Sequence, residues 1–176
     1  MSVFKKSNGE INKTVKESLQ KALVILMDKK KFDVISITEL CRIAGVSRVS
    51  FYNNYKTLND LLKDLIHTQT YYIINSIGTP FTENISVDWY RKLFQGAYDN
   101  KFYLTTIFKS GFKYEYLSVI TDMLLQNKKT SPETKYLRLM WAGAIVNTVI
   151  YWMENGMQES VDEIAQFCYH NLSVQN

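Results

Sequence analysis

Cysteine and proline are nearly absent, two of each in 176 residues, so little staples or interrupts this chain. Cys41 and Cys168 lie far apart and have no metal-ligand or redox spacing. His67 and His170 are equally scattered, and no metal site is expected from two and two such residues. Glycine is also sparse, at seven residues, and none stands in a phosphate-cradling loop. Paired catalytic carboxylates and nucleophile motifs are missing as well, so an enzyme is not expected, nor is a cofactor. The uncharged run from Leu139 to Met153 contains Asn147 and Thr148 and falls short of the roughly 20 apolar residues a membrane span needs. The N-terminal lysines are not followed by an apolar run and small residues, as a secretory leader would require. A reduced, cytoplasmic protein with no membrane partner is the expectation.

Hydrophobic residues make up 46% and charged residues 22% of the chain, ordinary values for a folded globular protein. The net charge of +4 is unevenly placed. Residues 1–66 hold twelve Lys/Arg against seven Asp/Glu, whereas residues 67–176 hold nine against ten. A basic first third suits a polyanionic partner, though a solvated face would look the same. Strict two-residue alternation is missing, and the apolar spacing is helical throughout, so the fold class is all-α with about nine helices.

A first helix over about 12–30 carries the stripe Val15, Leu19, Ala22, Leu23 and Leu26 and closes on Lys29–Lys31. Ser36 and Glu39 have capping-box spacing and open a short second helix. Gly45 ends it, and Ser47 caps a third. Two short helices joined by a glycine-containing turn of about three residues form a helix-turn-helix. Leu40 and Ile43 should meet Val46, Phe51 and Tyr55 to fix the crossing angle. Stepping residues 47–55 at 100° places Phe51 and Tyr55 on one side and Val49, Tyr52 and Asn53 on the other, the face a recognition helix offers to a major groove. Lys5 and Lys6 precede the first helix, within reach of a minor groove or simply in solvent.

The stretch SITELCRIAGVSRVSFYNNYKTLNDLLKDLI closely resembles the DNA-binding region of the TetR/AcrR family of bacterial transcriptional regulators. The resemblance covers about residues 12–66 and includes the A-G-V-S turn and the aromatic positions Tyr52 and Tyr55. WMENGMQESVDEIAQF is similar to the junction between that family's last two helices. The resemblance implies that Ser36, Thr38, Tyr52 and Lys56 touch phosphate while Arg48, Val49, Ser50 and Asn53 face base edges, with Ser47 at the head of the reading helix. Arg can grip guanine in bidentate fashion, Asn can pair with adenine, and a valine methyl can meet a thymine methyl. Two positions depart from the family: Val49 replaces a usually small residue, and Leu58 replaces a lysine that would touch phosphate.

The domains expected are a three-helix DNA-binding domain at 1–57 and a helical effector-binding and dimerisation domain at 58–176. Helices over 133–155 and 160–172 carry wide apolar faces. The family pairs these two helices with their copies in a four-helix bundle, which here implies a homodimer with Trp141, Ala144, Ile145, Thr148, Trp152, Ile164 and Cys168 at its interface, bound to a palindromic operator. The family also implies a ligand cavity. The aromatic density between Trp89 and Tyr116, with no excess of either charge, points to an apolar or aromatic effector walled by Tyr98, Phe102, Phe112, Tyr116 and Trp141. The functional expectation is a sequence-specific transcriptional regulator, a repressor released by its effector. The alternative keeps the DNA-binding head and makes the C-terminal domain a docking surface for a protein partner.

Overall fold

The computed structural model describes residues 8–78, 81, 85–126 and 131–172. Lys5 and Lys6 lie outside the described residues. Among those described there are nine α-helices, one 3-10 turn and no strand. The helices are α1 (Asn8–Lys29), α2 (Ile37–Ala44), α3 (Arg48–Tyr52), α4 (Leu58–Ile77), α5 (Val87–Asp99), α6 (Lys101–Lys109), α7 (Lys113–Leu125), α8 (Pro132–Glu154) and α9 (Val161–Leu172). No helix among the described residues is long and apolar enough to cross a membrane.

The chain divides into two compact units, Met1–Leu65 and Ile66–Asn176. A division after residue 57 was expected. The first turns of α4 go with the first unit because Asp64 accepts hydrogen bonds from Tyr55 and Gln20, and Leu61, Leu62 and Leu65 are buried.

In the first unit, α1 packs on α2, and Lys30, just past α1, pairs with Glu39 of α2. That pairing takes the carboxylate, so the expected capping box is half made: Glu39 N–H donates to Ser36 Oγ at 3.2 Å. A reciprocal box does form at the start of α4. Thr57 N–H donates to Asp60 Oδ2 at 2.9 Å, and Asp60 N–H to Thr57 Oγ1 at 3.1 Å. Donation to the carboxylate from the Thr57 side chain first, and then from backbone N–H groups, holds the Asp60 carboxyl below its usual range. The 3-10 turn at Phe32–Val34, which helical periodicity does not announce, fills the link between α1 and α2.

In the second unit, α5 lies along α9, and α6 and α7 pack on α8. Large rings set these contacts. Phe94 of α5 meets Trp152 of α8 edge-on at 5.7 Å, and Tyr90 meets Tyr169 of α9 at 6.2 Å. The Trp152 indole N–H donates to the Glu159 carbonyl at 2.9 Å, which ties the α8–α9 turn to the core. At Gly96 a Cβ would stand 3.1 Å from Ile73 Cγ2, so α5 approaches the second half of α4 closely only because the side chain is missing. Ser160 and Glu163 cap α9 reciprocally.

Candidate functional site

The turn between α2 and α3 follows from one glycine. Gly45 adopts φ +67°, the left-handed conformation that costs a glycine little. The Val46 N–H then reaches back to the Cys41 carbonyl at 3.0 Å, which closes α2 and redirects the chain. Ser47 immediately caps α3: its Oγ accepts from Ser50 N–H at 3.0 Å and lies 2.9 Å from the Ser50 hydroxyl. Leu40 and Phe51 are fully buried and supply the inner contact of the motif. Ile43 was expected beside them and is instead 36% exposed.

α3 is short, five residues, because Asn53 closes it and Tyr55 lies beyond. Its outer face is as the 100° spacing requires. Val49 is 69% and Tyr52 51% exposed, and Arg48 and Asn53 are exposed beside them. Ser36, Thr38, Ser47 and Lys56 are exposed too, and Ser50 is half-buried. All nine residues of the expected DNA-binding set therefore lie on or next to the helix-turn-helix, eight of them open to solvent. Ser47 Oγ is engaged in the cap, so its own contribution is to fix α3.

One supporting arrangement was not foreseen. The Tyr55 hydroxyl donates to Asp64 Oδ2 at 2.5 Å, Gln20 Nε2 donates to the same oxygen at 3.2 Å, and Lys16 Nζ lies 3.7 Å away. Lys16 also stands over the Tyr55 ring, 5.4 Å from its centre. Burial first, then the Asp64 bond, push the Tyr55 phenol far above its ordinary range. α1, the segment after α3 and the start of α4 thus share one carboxylate, which fixes the exit of α3.

The second unit contains a cavity of about 40 Å³. Tyr116 and Trp141 line it, together with Thr70, Ile73 and Ile74 of α4 and Val146 of α8. Tyr98, Phe102 and Phe112 do not. Tyr98 and Phe102 are 39% and 58% exposed, on the outer sides of α5 and α6, and Phe112 sits at the bend before α7. The α4 residues were missed, although Thr70 follows Leu62 and Ile66 at four-residue intervals. A hydroxyl within a buried stripe was the signal available.

Four of the seven expected interface residues turn inward. Trp141, Ile145, Trp152 and Cys168 are buried within the chain itself, with Trp152 and Cys168 at 2% and 0% exposure. They are core because α5, α6 and α7 cover that side of α8 and α9. Ala144, Thr148 and Ile164 are half-buried. The outer side of α8 presents Met140 and Tyr151, 71% and 70% exposed, with Gly143, Ala144 and Asn147 between them, and α9 adds Phe167 at 60%.

A left-handed glycine turn between two short helices, with one helix face packed inward and the other turned to solvent, defines a helix-turn-helix protein joined to a second unit that is helical throughout its described residues. Comparison with known proteins narrows the class. A family model described as the transcriptional regulator C-terminal region, of the TetR type, matches residues 84–173, just over half of the chain. The chain belongs to the TetR family of transcriptional regulators. No curated protein matches its sequence. Among solved structures it is similar to Lin0861 from Listeria innocua, with a TM-score of 0.70 and 17% identity over 94% of this chain and 92% of that one. A TetR transcriptional regulator from Streptococcus agalactiae 2603V gives 0.62 and 15% over 94% and 97%. The dihydroxyacetone kinase operon activator DhaS gives 0.61 and 19% over 90% and 93%. At these identities the structural likeness speaks for the fold.

Proposed function

We propose that this chain acts in the cytoplasm as a homodimeric, sequence-specific DNA-binding repressor, bound to a palindromic operator and released by a small effector held in its second unit. The observation that carries the reading is the outward face of α3. Arg48, Val49 and Asn53 stand in solvent on a helix whose other side is locked by Phe51, and nothing in the first unit's packing needs them there. Arg48, Val49, Ser50 and Asn53 read base edges; Ser36, Thr38, Tyr52 and Lys56 hold phosphates.

A single five-residue reading helix covers too few base pairs to select an operator, so two copies related by a two-fold axis are required. The face Met140, Ala144, Asn147 and Tyr151, spaced four, three and four residues apart, is one side of a helix. Gly143 has nothing within 4 Å of its missing Cβ. Small residues flanked by large exposed ones let a partner helix approach closely, and Phe167 extends the face onto α9. Release follows from population shift: an effector that binds the cavity better in one conformation disfavours the other, in which the two reading helices match the operator spacing.

A second reading, with a protein partner in place of a small molecule, draws on Phe102 and Tyr114, 58% and 83% exposed on α6 and α7. One structural neighbour is titled an operon activator, so the fold does not dictate the sign of regulation. A reporter gene placed behind the selected operator decides between them. Repression by the chain alone, relieved by a small molecule, supports the first reading; transcription that changes only with a second protein present supports the other.

A further inference from the structure

The walls of the cavity in the second unit restrict what can enter it. Ile73, Ile120 and Val146 contribute apolar surface, and none of the lining residues is charged. Three lining side chains carry polar atoms: Thr70, Tyr116 and Trp141. The Trp141 indole N–H is already used, donating to the Tyr90 hydroxyl at 3.2 Å. Thr70 is different. It is 3% exposed, and its Oγ1 has no hydrogen-bond partner.

Tyr116 stands beside it. Burial pushes that phenol up to about 12, an effect the nearby Thr70 hydroxyl partly offsets, although the two form no hydrogen bond of ordinary geometry. At neutral pH the cavity therefore presents two uncharged hydroxyls at one place and hydrocarbon elsewhere.

Each ligand class meets this lining differently. An ion would lose its hydration with no lining charge to replace it. A pure hydrocarbon would match the walls but leave Thr70 unpaired. A neutral molecule with one oxygen satisfies both demands. A cavity this small admits only a molecule of a few heavy atoms, which favours a short chain. We infer that the cavity selects an uncharged, short-chain ketone, aldehyde or alcohol whose single oxygen is hydrogen-bonded by Thr70 and Tyr116. The inference rests on the proposal that the second unit holds an effector, and it names that effector's chemical class.

The test uses the full chain without DNA and four probes: 2-butanone, butanoate, butylammonium and cyclopentane. Thermal melting and ligand-detected NMR read binding, since a ligand of the folded form alone raises the melting temperature with its concentration. The expected result is binding of 2-butanone and cyclopentane and none of either ion. Thr70→Val should weaken 2-butanone by about five- to tenfold, the worth of one hydrogen bond, and leave cyclopentane unchanged. Retained cyclopentane binding shows that the variant is folded, and Tyr116→Phe gives an independent second reading. Equal binding of the ions, no binding of 2-butanone, or unaltered 2-butanone affinity in both variants would overturn the inference. Because no DNA is present, a failure of operator binding strikes the proposed function alone.

Discussion

Replacing Thr70 by valine removes one hydroxyl and keeps the branched shape. In most buried threonines that loss destabilises, because a hydrogen bond goes with it. Here Oγ1 has no partner and the residue is 3% exposed. The folded protein therefore carries the cost of stripping water from a hydroxyl, about 1–3 kcal/mol, with no return. Thr70→Val should recover part of that cost and stabilise the protein by about 1 kcal/mol, or about 2–4 °C in melting temperature for a chain of this length. Urea unfolding followed by circular dichroism, at one fixed protein concentration, measures it. A double-mutant cycle with Tyr116→Phe should give a coupling near zero, since the two hydroxyls share no well-formed bond. A valine variant less stable by about 1 kcal/mol or more would refute the reasoning, because the hydroxyl would then be satisfied in the folded protein.

Tyr55→Phe should cost about 1.5–3 kcal/mol, nearer the lower figure because Asp64 is 31% exposed and keeps Gln20 and Lys16; unchanged stability in urea would mean the Tyr55–Asp64 bond contributes nothing to the first unit. Tyr151→Glu should convert a dimer to helical monomers in sedimentation, since it sets charge on the face proposed to pair; a variant that stays dimeric would place the interface elsewhere. Both cysteines are buried, and burial pushes the Cys168 thiol up to about 11 and raises that of Cys41. At pH 8 the thiolate fraction is therefore below that of a free cysteine, and a maleimide should label neither residue until urea unfolds the chain; labelling of the native protein would contradict the burial.

Helix spans were legible because each boundary is written in local chemistry. Ser36, Ser47 and Ser160 cap, and Gly45 and Gly156 end helices, all signals that need no tertiary contact. The outward face of α3 was legible for the same reason, since the short helix around Phe51 decides by itself which side faces in. Sidedness in the second unit was not. α8 is apolar nearly all round between Leu139 and Met153, so Trp152 and Tyr151 look alike in sequence, although α5 covers one and the other is left exposed among the described residues. The cavity was hidden for a related reason: its walls come from helices far apart in the chain, and which aromatics reach it depends on packing that periodicity does not encode. Tyr116 and Tyr98 are equivalent by composition and opposite in burial.

If the α3 face reads a particular DNA sequence, selection of bound fragments from genomic DNA will recover that sequence. Enrichment of one site is expected, with two-fold symmetric half-sites whose centres lie one helical turn or a multiple of it apart. Arg48→Ala should cost about 1–3 kcal/mol and relax the preference at one base pair in each half-site, whereas Lys56→Ala should weaken all sequences alike and lower the salt slope by about one unit. Enrichment of no sequence over bulk DNA, or an Arg48→Ala protein with unaltered affinity and preference, would contradict it.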